Sequence, residues 1–231
     1  MRIFLAGATG AIGRRLVPLL LTDGHAVTGT TRSREKAVGL RKLGADAVVL
    51  DVFDFDALSR AIHEARPEVV IHQLTDLPQV FDPVAMAEAR VRNARLRELV
   101  TPVLMRAAGS AGAKRAVVQS ICFVYRPGKL PADETDPIDS PSVEAMERAA
   151  LTTAGIAGIV LRCGRLWGPG TWTDVPKDTS PLHVDAAAHA ALLAVTRGAP
   201  GTYNIAEDDG TVSIAKARRE LKFSPDFRLP H

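Results

Sequence analysis

The stretch Arg2-Ile3-Phe4-Leu5-Ala6-Gly7-Ala8-Thr9-Gly10-Ala11-Ile12-Gly13 decides the fold. Residues 2–6 form a short apolar run of strand length, and an amphipathic stretch over 11–21 follows as a helix. Between them stand three glycines at a spacing of three. Gly7 permits a tight turn, Gly10 lets a ligand approach the backbone, and Gly13 lets helix and strand pack closely. A helix opening at that point presents unpaired N–H groups and partial positive charge to an anion such as a pyrophosphate. The pattern predicts a dinucleotide site built from Gly7, Thr9, Gly10, Ala11, Ile12 and Gly13.

Outward from this turn the chain alternates short β-rich runs with helical stretches. Strands are expected at 26–30, 47–50, 68–74, 115–121 and 158–163. Helices are expected at 33–43 with Ser33 as N-cap, at 56–65, at 84–108 with a kink near Pro102, and at 143–153. Such alternation predicts an α/β fold, a Rossmann-type doubly wound parallel sheet of six mostly buried strands. Beyond Cys163 the pattern loosens into a loop at 164–180 carrying both tryptophans, a helix at 184–196, a short strand at 202–205 and a last helix at 214–221. The chain 1–231 is expected to be a single domain. A small C-terminal cap, segments of about 164–183 and 206–231, should lie on the substrate side over the carboxyl ends of the strands.

Composition narrows the class. The formal net charge is only +3, and lysines and arginines are interleaved with acids, so no nucleic-acid partner is expected. The densest basic cluster, Arg90, Arg92, Arg95 and Arg97, carries Glu88 and Glu98 within it and reads as a solvated helix face. No apolar run approaches the roughly 20 residues of a membrane span, and the chain enters its first strand at once. A cytoplasmic location is therefore expected. The two cysteines, Cys122 and Cys163, fall in strand regions and read as buried reduced thiols, and no metal-type spacing occurs.

The end of the second strand indicates which dinucleotide. An acid there would take the ribose 2′-hydroxyl of NAD(H), whereas a basic residue accommodates the 2′-phosphate of NADP(H). The residues are Thr30-Thr31-Arg32-Ser33-Arg34, with no acid before Glu35. Arg32 therefore favours NADP(H), with NAD(H) the alternative, and Arg14 or Arg15 could assist. Asp51-Val52 follows the third strand, where the carboxylate can face the adenine amino group or cap the next helix. Leu74, at the end of the fourth strand, is placed beside the cofactor.

With these residues in view, the chain resembles the short-chain dehydrogenase/reductase superfamily, in its extended or atypical, epimerase/dehydratase-like branch. The resemblance rests on the glycine turn, Asp51-Val52, Val69-Val70-Ile71-His72-Gln73-Leu74, Val117-Val118-Gln119-Ser120 with Val124-Tyr125, and Leu161-Arg162. Leu166-Trp167-Gly168-Pro169-Gly170, His183-Val184-Asp185 and Thr202-Tyr203-Asn204-Ile205 extend it. It implies an NAD(P)-dependent oxidoreductase or epimerase/dehydratase-like enzyme acting on a small carbonyl or sugar-like substrate. It also implies a homodimer formed through the 84–108 helix.

Members of that superfamily carry a tyrosine and a lysine four residues apart on the helix after the fifth strand. Here those positions align with Asp139 and Val143, which cannot perform that proton transfer. Tyr125 and Lys129 match the spacing literally, but Pro127 and Gly128 between them break any helix. The remaining catalytic candidates are Ser120, one residue before the usual serine position at Ile121, and Tyr125; both also read as packing residues. His72 reads as a satisfied core histidine, and His183 and Asp185 as architectural. Trp167 and Trp172 read as either pocket wall or packing. Loss of the catalytic pair leaves a second reading, a non-catalytic NAD(P)-binding sensor.

Overall fold

The computed structural model describes residues 1–78 and 80–230. Strand β1 (Arg2–Ala6) buries four residues in succession, because its sheet is covered on both faces. It is flanked by β2 (Ala26–Thr31) and β4 (Val69–His72), and β3 (Asp46–Val49) extends the β2 side. On the other side follow β5 (Arg115–Ile121), β6 (Ala157–Cys163) and β9 (Gly201–Ile205), all parallel. The order β3-β2-β1-β4-β5-β6-β9 reverses direction between β1 and β4, and in such sheets ligands bind in the crevice beyond that switch point.

Helices cover both faces. One face holds α1 (Gly13–Thr22), α2 (Arg34–Lys42) and α7 (Val184–Leu193), with Leu16, Leu20, Leu40, Ala187 and Ala191 in its core. The other holds α3 (Phe55–Ala65), α5 (Thr101–Ser110) and α6 (Pro141–Thr152), with Leu58, Leu104, Met105 and Met146. Ser33 caps α2 as its sequence position implies, its hydroxyl accepting from the Lys36 amide at 3.2 Å.

Three expectations are revised. The sheet has seven strands, not six: the short strand near 202–205 pairs in parallel with β6 and buries Tyr203 and Asn204 completely. The predicted loop at 164–180 begins with β7 (Arg165–Trp167), which pairs with β8 (Pro181–His183). The helix expected over 84–108 is α4 (Pro83–Arg95), a wider π turn (Leu96–Val100), and α5. Pro102 has no N–H for the carbonyl one turn back and its ring crowds that carbonyl, so the chain widens just ahead of it.

The segments expected to form a cap make specific contacts. Trp172 Nε1 donates to the Pro78 carbonyl at 2.8 Å, and the Arg14 guanidinium donates to the Pro169 carbonyl at 3.2 Å. The C-terminal run bends back onto α7: the Phe227 ring stacks on His189 at 3.8 Å, and the Leu229 amide donates to Asp185 at 3.2 Å. The last residue of the expected 206–231 segment, His231, lies outside the described residues. Both cysteines are free and buried.

Candidate cofactor and active site

The glycine turn sits at the carboxyl end of β1, beside the switch point. Gly7 has φ of +89°, and a Cβ there would stand 2.7 Å from the Gln73 carbonyl oxygen. At Gly13 a Cβ would meet the Gly7 carbonyl oxygen at 2.2 Å. Gly10 differs, because its Cβ would touch only the Gly7 oxygen, at an ordinary 3.5 Å, and the residue is exposed. The space beside Gly10 is thus open cradle, not packed protein. Among the described residues, no acceptor pairs with the amides of Ala11 and Ile12, and no side chain caps α1. Free donors, room and a helix N-terminus together fit a pyrophosphate. At Ile12 only the backbone faces this space, since its side chain is buried in the core. Thr9 ties the turn to β2 through a 3.1 Å hydroxyl contact with Thr31.

Arg32 leaves the end of β2 with its side chain 70% exposed and ion-paired to Asp76 at 3.3 Å. Of the other arginines, Arg15 is committed to Asp185 at 2.5 Å and Arg14 to Pro169. Asp51 is exposed and folds onto its own loop, accepting from the Phe53 amide at 3.0 Å; the cap of α3 is Asp54, not Asp51. Val52 is buried and Leu74 partly so. Leu74 donates its amide to His72 Nδ1, while His72 Nε2 lies 3.0 Å from the Thr101 hydroxyl, so both ring nitrogens are satisfied.

Burial of His72 pulls its pKa from 6.5 down to about 4, with Arg97 adding to the effect. A depressed histidine favours the folded state wherever it is neutral. Between those two values the unfolded chain takes a proton that the folded chain refuses, so stability falls as pH drops from 6.5 toward 4. About 3 kcal/mol should be lost across that window. Denaturant unfolding at its two ends checks this, and His72→Gln should show a shallower fall. An unchanged slope in the variant would refute the assignment.

A row across three strands organises the carboxyl ends of β5, β6 and β9. Ser120, Arg162 and Asn204 share one register on β5, β6 and β9. Glu147, from α6, reaches into this row. Its carboxylate accepts from Ser120 Oγ at 2.6 Å and from Arg162 Nε and Nη2 at 3.0 and 2.7 Å. Arg162 Nη1 donates to the Tyr125 hydroxyl at 2.7 Å, and that hydroxyl donates to Asn204 Oδ1 at 2.7 Å. The two sequence candidates, Ser120 and Tyr125, therefore belong to one network, and Ser120 is 2% exposed. Burial pushes the Tyr125 phenol up to about 12 although Arg162 pulls the other way, so it stays protonated at neutral pH.

Sequence reasoning missed Glu147 and Asn204. Asp139 and Val143, which the sequence reading aligns with the superfamily's tyrosine and lysine, are exposed and fully buried respectively. Lys129 is no partner of Tyr125, since it bonds to Asp133 at 2.8 Å. Among the described residues, no group of His, Cys, Asp and Glu is arranged to hold a metal ion, and no helix is long and apolar enough to cross a membrane.

Comparison with known proteins agrees with this geometry. The family model described as NAD(P)H-binding matches residues 7–170. A Streptomyces sp. protein named 3-diazoavenalumate denitrifying reductase is 38% identical over 240 residues, covering 90% of this chain and 77% of that protein. The 4-hydroxy-2-methyl-3-oxo-4-farnesyl-3,4-dihydroquinoline-1-oxide ketoreductase of Stigmatella aurantiaca is 26% identical over 246 residues, covering 93% of this chain and 70% of the ketoreductase. The UDP-glucose 4-epimerase of Thermotoga maritima shares the fold, with a TM-score of 0.80 at 19% identity over 99% of this chain and 94% of that one. The open cradle at Gly10, the parallel sheet around it and these relatives converge: the chain belongs to the NAD(P)H-binding family, is related to reductases, and has the fold of the UDP-glucose 4-epimerase.

Proposed function

We propose that this enzyme is an NADP(H)-dependent reductase whose acceptor needs no proton from a tyrosine–lysine pair. The observation that carries the reading is the site's catalytic end, where Asp139 and Val143 replace that pair and Ser120 and Tyr125 are already hydrogen-bonded to Glu147, Arg162 and Asn204. Bound nicotinamide would supply a hydride. Hydride delivered to a simple ketone leaves an alkoxide, which calls for a general acid beside it. Hydride delivered to a diazonium cation neutralises the charge instead. The hydride forms an N–H bond at the terminal nitrogen; the C–N bond then breaks, dinitrogen leaves and that same hydrogen ends on the ring carbon as the new C–H, so the overall change draws no proton from a protein acid. The Streptomyces relative's name, a diazo-compound denitrifying reductase, supports an acceptor of that class.

In this proposal the amides of Ala11 and Ile12 hold the pyrophosphate, Thr9 braces the turn, and Arg32 takes the 2′-phosphate. Asp51, Val52 and Leu74 border the adenosine half of the cofactor. Ser120 and Tyr125 are positioning residues that fix α6 and the 122–140 connection against the sheet. Ser120→Ala and Tyr125→Phe should slow turnover less than about tenfold, whereas loss of a general acid costs about 10²–10⁴-fold. The acting species is taken to be a cytoplasmic homodimer, with Val84 and Val91, exposed seven residues apart on α4, at its contact.

The test uses loss of nicotinamide absorbance with NADPH and two acceptor panels, arenediazonium cations and simple ketones. Turnover of the first and not the second is expected. Ketone reduction with a pH profile set by one protein acid would overturn the acceptor assignment. Tight NADPH binding without turnover of either panel would favour a non-catalytic sensor. Separately, Arg32→Ala should weaken NADPH binding about tenfold or more while leaving NADH nearly unchanged, because a charge-assisted bond to phosphate is lost. Equal effects on the two would sink the NADP(H) preference.

A further inference from the structure

Arg32 is not free in this structure. Asp76, on the loop that follows β4, accepts from Arg32 at 3.3 Å through one carboxylate oxygen and from Arg92 of α4 at 3.0 Å through the other. The aspartate is held by its main chain and not by these charges. The Asp76 amide donates to Asn93 Oδ1 at 3.1 Å, and Asn93 Nδ2 donates back to the Asp76 carbonyl at 2.9 Å. Asn93 is 6% exposed and also donates to the Ala89 carbonyl, so the anchor is part of the α4 interior. A rigidly mounted carboxylate thus faces Arg32, the cation at the end of β2 that the NADP(H) reading assigns to the ribose phosphate.

We propose that Asp76 is a cofactor-specificity residue, competing with the 2′-phosphate for Arg32, and that Arg92 tunes this competition by neutralising Asp76. The proposal rests on the NADP(H) reading above and adds the residues that set its strength. A 2′-phosphate brings negative charge to the same guanidinium, so NADP(H) must displace Asp76 from Arg32 and tolerate it nearby. A 2′-hydroxyl brings no charge and leaves the ion pair intact. The pair is solvent-exposed, so each effect is modest and shrinks with added salt.

The experiment measures dissociation constants for NADPH and NADH, by nicotinamide fluorescence at low ionic strength, on the full chain. Asp76→Asn keeps the loop anchored, because Asn93 holds the main chain, and it should tighten NADPH about three- to fivefold while NADH moves less than about twofold. Arg92→Ala should weaken NADPH by a similar factor, and should do nothing further once Asp76→Asn is also present. Asp76→Asn that leaves NADPH unchanged, or weakens both cofactors, overturns the proposal. Arg92→Ala that still weakens NADPH in the Asp76→Asn background shows Arg92 meeting the phosphate directly and overturns the tuning role. Running Arg32→Ala alongside separates the two levels. If it is selective for NADPH while Asp76→Asn is silent, only this inference fails. If it affects both cofactors equally, the NADP(H) reading fails and takes the inference with it.

Discussion

Glu147→Gln is expected to destabilise the fold by about 3–5 kcal/mol, the cost of stripping one partner from a buried ion pair. Both side chains of the Glu147–Arg162 pair are only 7% exposed, so water cannot replace the lost carboxylate. Burial by itself would lower the Arg162 pKa, and the carboxylate at 2.7 Å more than reverses that, which means the cation depends on Glu147 for its place in the interior. The loss should spread, because Arg162 also holds Tyr125 and the carboxylate also holds Ser120. Replacing the pair together, as in Glu147→Leu/Arg162→Met, should cost less than Glu147→Gln alone, since no charge is then stranded. Equilibrium denaturation of the three proteins checks the order. A Glu147→Gln midpoint within error of wild type would show that the network contributes nothing to stability.

The second large effect separates two glycines that look alike in sequence. Gly13→Ala should cost about 3 kcal/mol, because its Cβ would lie 2.2 Å from the Gly7 oxygen and within 3 Å of Ala8 backbone atoms, none of which can swing aside. Gly10→Ala should leave the melting temperature almost unchanged, since its Cβ meets ordinary contact only. Yet that methyl occupies the space a pyrophosphate needs, so NADPH affinity should fall about 100-fold, near 3 kcal/mol. Thermal melts and cofactor titrations on both variants read the contrast. Undiminished NADPH binding by Gly10→Ala would place the pyrophosphate elsewhere.

What the sequence revealed, and what it hid, follows from the range of each interaction. The glycine turn, the first strand, the Ser33 cap and the strand at 115–121 are written in neighbouring residues, so spacing and propensity suffice to find them. That α6 carries neither a tyrosine nor a lysine was legible for the same reason. Glu147, Arg162 and Asn204 stand far apart in the chain and meet only because β5, β6 and β9 share a register. Nothing local marks Glu147 as buried, as it sits in a helix among Arg148 and Glu144 and reads as surface. The short strand at 202–205 was found, but its place in the sheet was not, because its partner, β6, lies some forty residues earlier and five residues cannot announce which sheet edge they will join. Asp76 hid in a loop, where its meaning depends on Arg32 and Arg92 arriving from β2 and α4.

In the proposed reaction the residues of this chain donate no proton to the acceptor while bound nicotinamide would supply the hydride. The most direct test is the single-turnover rate of NADPH oxidation by an arenediazonium acceptor, followed against pH in wild type, Ser120→Ala and Tyr125→Phe. The expected rate is flat through neutral pH and nearly the same in all three proteins. A rate that follows one ionisation in wild type and collapses in Tyr125→Phe or Ser120→Ala would contradict it.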